Sequence, residues 1–102
     1  MTLYNPPHPG EFIQEMYLQP MGLTARQLAI KLAVAPSTVT RLINGEAGIS
    51  AEMAVRLSKA LGSRPEFWYQ MQFNYSMWHA KRSVNLDEVE AIEMPPEAFE
   101  VA

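Results

Sequence analysis

A chain of 102 residues, 48% hydrophobic and 19% charged, has enough apolar material for one compact domain with a core, and this composition excludes disorder along the whole chain. The absence of cysteine excludes disulfides and thiolate metal sites, and the absence of a signal peptide and of any apolar run of about 18 residues indicates a soluble, cytoplasmic protein with no membrane partner. The net charge of −3 is unevenly divided, because residues 1–82 carry eight basic and five acidic side chains, a net charge of +3, whereas residues 83–102 carry six acidic side chains and no basic one.

Two helices are predicted in the first third of the chain. The spacing of apolar residues indicates a helix over residues 9–18, which we expect Pro20 to stop. Thr24 and Gln27 form a capping box, which opens a second helix that runs to Ala33. The expected inner face of the second helix consists of Leu28, Ala29 and Leu32.

Two more helices follow after short connections. Pro36 opens the third helix, and Asn44 with Gly45 ends it, since this pair is a strong stop signal. Ser50 caps the fourth helix, and Gly62 ends it. The expected inner residues of these two helices are Val39, Leu42, Ile43, Met53, Ala54, Leu57 and Leu61.

A fifth helix is apolar on two faces. A second capping box, formed by Ser63 and Glu66, opens this helix, which runs to His79. One stripe, which we expect to face the core, consists of Phe67, Trp68, Met71, Tyr75 and Trp78. The opposite stripe consists of Tyr69, Phe73 and Met77. Because a helix with two apolar faces needs two partners, we expect the second stripe to form the interface of a homodimer, with the alternative that the C-terminal tail folds back over it.

Together these elements predict an all-α fold. No stretch of useful length alternates between apolar and polar residues, so strands have little support. We therefore expect a five-helix bundle over residues 1–82 and a short acidic C-terminal appendage over residues 83–102, in which the apolar spacing allows one or two more helical turns.

The second and third helices form a helix-turn-helix, because a connection of about three residues makes them cross steeply. The exposed face of the third helix is rich in donors and free of acidic residues, which is typical of a helix that enters a major groove. We predict that Arg41 is the main base-reading side chain, with Ser37 and Thr38 assisting and Thr40 near the DNA backbone. Phosphate contacts are predicted for Thr24, Asn44, Lys31 and Arg26. The alternative is that this face is the solvated side of an ordinary surface helix.

The segment from Thr24 to Gly45 resembles the helix-turn-helix of the lambda-repressor/Cro (XRE) superfamily, and the similarity extends over residues 8–80. Three shorter motifs resemble the HigA/VapI group of antitoxins: His8-Pro9-Gly10-Glu11, Arg41-Leu42-Ile43-Asn44-Gly45 and Pro65-Glu66-Phe67-Trp68. The resemblance implies a lambda-repressor-like bundle and a dimeric protein that binds a palindromic DNA operator, represses its own operon and neutralises a RelE-like ribonuclease toxin of the HigB type. One departure is that the turn after the second helix, which commonly carries a left-handed glycine, has Ala33 or a neighbour there, at a cost on the order of 1 kcal/mol.

The sequence does not indicate catalysis. His8 is better interpreted as a cap or surface residue than as a metal ligand, because the other histidine, His79, is distant in the chain. Glu11 and Glu15 indicate a solvated helix face, since no third ligand or base accompanies them. We expect a protein that is not an enzyme and holds no cofactor or metal.

Three functions stay open from the sequence: an antitoxin, a solitary transcription regulator with the same fold, and a protein-interaction module whose helix-turn-helix no longer binds DNA. A small basic protein encoded directly upstream would favour the antitoxin over the solitary regulator. A toxin, which we expect to be basic because it binds RNA, would contact either the acidic tail or the first helix. The tail offers apolar anchors at Leu86, Val89, Ile92 and Phe99, and the alternative is a tail that serves solubility only.

Overall fold

The computed structural model describes residues 5–93 and residue 95. In that part of the chain it contains five helices and no strand, which confirms the predicted all-α fold. The first helix, α1, is a continuous path of three segments, Pro9–Ile13, Gln14–Leu18 and Gln19–Met21. The other four helices are α2 (Ala25–Leu32), α3 (Pro36–Ile43), α4 (Ala51–Leu61) and α5 (Pro65–Ser83). None of the described helices combines the length and the apolar character that a bilayer crossing requires.

The prediction that Pro20 stops the first helix is wrong. The helix continues through Pro20 and ends at Gly22, whose φ of 66° lies in the left-handed region. In a regular α-helix the proline ring clashes with the carbonyl four residues earlier. Here the preceding turn, Gln14–Leu18, is π-helical, and the N–H of Gln19 donates to the carbonyl of Gln14, five residues back. This wider turn accommodates the proline ring, so that α1 continues to Met21.

A single apolar core lies between the helices. It contains all the predicted inner residues of α2 and most of those of α3 and α4, whereas Ile43 and Leu61 are only half-buried. Its members are Ile13, Leu18, Leu28, Ala29, Leu32, Val39, Leu42, Ile49, Met53, Ala54, Leu57 and Trp68. Burial of this apolar surface is the main force that holds the short helices together.

The start of α5 differs from the prediction. Ser63 has a φ of 67°, so its backbone is left-handed rather than extended, and it does not cap the helix. The residue before the helix is Arg64, which makes no capping hydrogen bond through its side chain. The corner is held by Trp68 instead, whose fully buried indole Nε1 donates to the Gly62 carbonyl at 2.9 Å. At its other end α5 extends beyond His79 to Ser83.

The described part of the tail, residues 84–93 and 95, lies beyond α5 and contains no helix. A single turn forms where the N–H of Val89 donates to the carbonyl of Leu86 at 3.0 Å. The apolar side chains of Leu86, Val89 and Ile92 are exposed, so this segment does not fold back over the second stripe of α5. Residues 97–102, which include the predicted anchor Phe99, lie outside the described residues.

Candidate nucleic-acid interface

The turn between α2 and α3 is short and has one strained residue. Ala33 adopts φ 59° and ψ 45°, so the position where the resemblance implies glycine is left-handed, and an alanine there costs about 1 kcal/mol. The N–H of Val34 donates to the carbonyl of Ala29 at 3.1 Å, and that of Ala33 to the carbonyl of Ile30 at 3.2 Å. These bonds end α2 and direct the chain steeply into α3, which is the geometry of a helix-turn-helix.

The beginning of α2 has the capping box expected from the sequence. Thr24 Oγ1 accepts a hydrogen bond from the N–H of Gln27 at 3.1 Å, and Gln27 Oε1 accepts one from the N–H of Thr24 at 2.9 Å. The hydroxyl hydrogen of Thr24 remains available as a donor, and the N–H groups of Ala25 and Arg26 belong to the first turn, where a helix provides no acceptor. Exposed donors at the positive end of a helix suit a phosphate.

The predicted base-reading side chains lie on α3 and are accessible. Val39 and Leu42 are buried, and the opposite face of the helix is exposed at Ser37, Thr40 and Arg41, while Thr38 is half-buried. Arg41 makes no ion pair with any residue in the described ranges. Its guanidinium can therefore donate in pairs to an acceptor outside the chain, as guanine recognition requires.

The predicted phosphate-binding residues are exposed on α2 and at the end of α3. Asn44, which ends α3, is exposed, as are Arg26 and Lys31 on α2. Over residues 24–64 the chain carries six basic and two acidic side chains, a net charge of +4. One of these cations, Arg56, is engaged with Glu52 at 3.0 Å, so the exposed positive charge rests on the others.

The first helix contacts α3 at Gly10, a role that the sequence did not predict, and it begins at His8, for which the sequence predicted a cap or surface role. Gly10 is buried, and a Cβ atom on it would lie 1.9 Å from the carbonyl oxygen of Leu42 at the end of α3. Only glycine lets the two backbones approach so closely. His8 caps α1, because its Nδ1 accepts a hydrogen bond from the N–H of Gly10 at 2.9 Å. The motif that begins with His8 and Pro9 thus joins α1 to α3.

His8 is also linked to the loop that follows α3. Burial lowers the pKa of His8 below its usual value of 6.5, while a hydrogen bond to the Ala47 backbone and the charge of Glu11 act in the opposite direction. Its ring meets Tyr75 of α5 edge-on, with ring centroids 4.9 Å apart. Since Nδ1 acts as an acceptor in the cap, the histidine is neutral in this arrangement. A cap role therefore describes His8 better than a metal site.

Gln72 on α5 also holds this loop. Its Oε1 accepts a hydrogen bond from the N–H of Ile49 at 2.8 Å, and its Nε2 donates to Ser76 Oγ at 3.0 Å. Gln72 belongs to neither of the two predicted apolar stripes of the helix. Only the tertiary fold brings it to Ile49, so no local pattern could have identified it.

The second stripe of α5 is exposed in the single chain. The side chains of Tyr69, Phe73 and Met77 are 50%, 55% and 40% exposed. A shallow apolar groove beside them is lined by Ala51 and Val55 of α4, and Val55 is itself 57% exposed. The predicted interface residues thus lie together on one apolar surface that includes part of α4. A surface of this kind is typical of a protein–protein contact.

Within residues 5–93, and at residue 95, no group of three or more histidine or acidic side chains is arranged to hold a metal ion. The predicted site residues instead fall into two surfaces. One is the polar, basic surface of α2 and α3, and the other is the apolar surface of α4 and α5.

The chain is similar to known helix-turn-helix proteins. A family model described as helix-turn-helix (HTH_3) matches residues 14–68. Antitoxin HigA-1 of Vibrio cholerae is 38% identical over 80 residues, which cover 78% of this chain and 75% of that protein. The structure of antitoxin GraA is 34% identical in sequence with a TM-score of 0.80, and the match covers 90% of this chain and 99% of the GraA chain. The structure of GraA in complex with its operator gives a TM-score of 0.78. Pseudomonas aeruginosa antitoxin HigA, solved with the higBA promoter, is 32% identical with a TM-score of 0.76, and covers 89% of this chain and 98% of its own.

Proposed function

This chain belongs to the helix-turn-helix (HTH_3) family, in the group that includes HigA-type antitoxins, and on that premise we propose that it is a DNA-binding antitoxin that acts as a homodimer. It binds the operator of its own operon, represses transcription there and neutralises a basic ribonuclease toxin. The observation that carries DNA binding is the exposed face of α3, whose one cation, Arg41, forms no ion pair with any described residue.

Arg41 reads bases and the surrounding groups position the helix. Arginine donates two parallel hydrogen bonds to guanine, while Ser37 and Thr38 contact neighbouring base edges. Thr40 lies near the DNA backbone. Thr24 and Asn44, with Lys31 and Arg26, contact phosphates, which adds affinity without sequence preference.

The matched variants Arg41→Ala and Lys31→Ala test this division, because each removes one cation from an exposed position. Arg41→Ala should weaken operator binding by about 1–3 kcal/mol and relax the preference at one base pair. Lys31→Ala should weaken binding to all DNA sequences alike and reduce the salt-dependence slope by about one unit. Fluorescence anisotropy with operator and scrambled duplexes measures both. Unchanged affinity and selectivity in Arg41→Ala, or a sequence-selective loss in Lys31→Ala, would contradict the assignment.

The dimer forms through the exposed stripe of Tyr69, Phe73 and Met77. A two-fold axis through this surface buries apolar side chains that are 40–55% exposed in the single chain, and it allows two recognition helices about 34 Å apart to read a palindrome. Phe73→Glu should give a folded monomer with weak operator binding. The control is Met16→Glu, which places the same charge at a 58% exposed apolar residue of α1, outside this surface. Light scattering should show half the wild-type mass for Phe73→Glu only, and a dimeric Phe73→Glu would place the interface elsewhere.

Toxin neutralisation uses the acidic tail. All the charged side chains of the tail beyond α5 are acidic, and its apolar residues Leu86, Val89 and Ile92 are at least 65% exposed. The acidic and the apolar side chains are therefore both available to a basic protein surface. Opposite charges speed the encounter, and apolar contacts slow dissociation.

Deletion of residues 84–102, which leaves α5 intact, tests the role of the tail. It should weaken binding to the basic protein encoded beside this gene and leave operator binding unchanged. Unchanged toxin affinity at physiological salt would move the toxin site to the helical body, with α1 as the next candidate. A chain with no such neighbouring protein would be a solitary regulator.

A further inference from the structure

Arg56 of α4 reaches the turn of the helix-turn-helix. Its Nη1 donates to the carbonyl of Leu32 at 2.8 Å and lies 3.4 Å from the carbonyl of Ala33. Inside an α-helix the carbonyl of Leu32 would accept the N–H four residues later, but that residue is Pro36, which has none. Arg56 therefore supplies the donor that this carbonyl lacks, and it places a positive charge at the negative end of α2.

The guanidinium is held on its other edge by Glu52, one turn earlier on α4. Arg56 Nε and Nη2 donate to Glu52 Oε2 at 3.2 Å and 3.0 Å. The Arg56 side chain is 36% exposed, against 75% for Glu52, so the guanidinium lies partly inside the protein while its partner faces solvent. A guanidinium that is held along both edges loses less conformational entropy when it binds the turn than a mobile side chain would.

The bound turn is the strained one. Ala33 lies between the peptide groups of the two carbonyls that Arg56 contacts, and its φ of 59° is a left-handed conformation that costs alanine free energy. A glycine would adopt this conformation readily, whereas alanine needs contacts that hold it there. The angle of α3 relative to α2 depends on this residue, because only residues 33–35 connect the two helices.

We propose that Arg56 is a positioning residue for operator recognition, which holds the left-handed Ala33 turn and thereby sets the angle at which α3 meets DNA. This inference rests on the proposed operator binding. Arg56 acts through the turn and contacts no base. The competing role for an Arg in a basic region is a direct phosphate contact, and the two roles give different results.

Three variants separate these roles: Arg56→Met, Ala33→Gly and the double variant. Arg56→Met keeps an apolar stem and removes every donor, so operator affinity should fall about tenfold, while affinity for scrambled DNA and the salt slope stay unchanged. Ala33→Gly removes the strain, so the double variant should recover most of the lost operator affinity. Anisotropy provides the affinities, and circular dichroism at the assay temperature confirms that each variant is folded.

Other outcomes overturn the proposal. An equal loss on operator and scrambled DNA, with the salt slope lower by about one unit and no recovery in the double variant, would make Arg56 a phosphate contact. A lower melting temperature with unchanged operator affinity of the folded protein would make it a purely structural residue. Failure of the wild-type protein to prefer its operator would refute the proposed function instead, so the two failures are distinguishable.

Discussion

Gly10→Ala tests how closely α1 supports the recognition helix. The new Cβ would lie 1.9 Å from the Leu42 carbonyl oxygen, 2.7 Å from its carbonyl carbon and 3.0 Å from the Cα of Ile43. All three atoms belong to the backbone, which cannot move aside as a side chain can. To reach an ordinary contact distance α1 must shift away from α3 by about 1.5 Å, and such a gap forfeits much of the dispersion energy of the facing surfaces.

The cost of that shift follows from the core residues near it. Pro9 and Ile13 on α1 and Leu42 on α3 are almost fully buried, so opening the contact affects all three. Overpacking of a core costs 1–3 kcal/mol or more, and we expect about 3 kcal/mol here. For a domain of this size that lowers the melting temperature by roughly 15 °C.

Gly22→Ala is the matched control. Gly22, which ends α1, has a φ of 66°, but apart from its chain neighbours no atom of the described residues lies within 4 Å of the position of its Cβ. Its substitution should therefore cost only the left-handed backbone penalty, about 1 kcal/mol. Thermal denaturation followed by circular dichroism compares the two variants. Equal melting temperatures for Gly10→Ala and Gly22→Ala would refute the close approach of α1 to α3.

Two more predictions concern the loop behind α3. Burial lowers the pKa of His8 in the folded protein below 6.5, so the unfolded chain binds a proton at this residue more readily. The contribution of the neutral His8 to the free energy of unfolding is therefore fully present above pH 6.5 and is lost as the pH falls through the lower folded pKa. His8→Asn keeps an N-cap acceptor and should make stability nearly independent of pH in that window, whereas a wild-type protein equally stable at pH 7.5 and 5.5 would contradict the neutral cap. Gln72→Leu leaves the N–H of Ile49 without its acceptor and should cost about 1–3 kcal/mol in urea unfolding, while Gln70→Leu, on the exposed side of α5, should have little effect. Equal effects of the two leucine variants would exclude a role for the Ile49 hydrogen bond.

Local signals in the sequence predicted the helix-turn-helix well. The cap at Thr24, Pro36 at the start of α3 and Gly62 after α4 each act over a few residues, so their structural effect can be read directly from the sequence. The resemblance to the lambda-repressor/Cro superfamily implied a left-handed residue at Ala33 or a neighbour, and the structure has it at Ala33.

Where the prediction failed, the deciding interaction came from outside the local pattern. Pro20 did not end α1, because a π-helical turn before it changed the register. Ser63 did not cap α5, because the corner is set by the indole of Trp68 on Gly62. Likewise Gly10 and Arg56 contact residues more than twenty positions away, and a single sequence does not indicate such pairs.

We propose that this chain recognises a specific operator as a homodimer. The most direct measurement is a titration of the protein against a labelled duplex from the region upstream of its own gene and against a scrambled duplex, at several salt concentrations, with light scattering of the complex. We predict two chains per duplex, an affinity for the upstream duplex about 10³-fold or more above that for the scrambled one, and a loss of affinity for both as salt rises. Equal affinity for the two duplexes, or a complex with one chain per duplex, would contradict it.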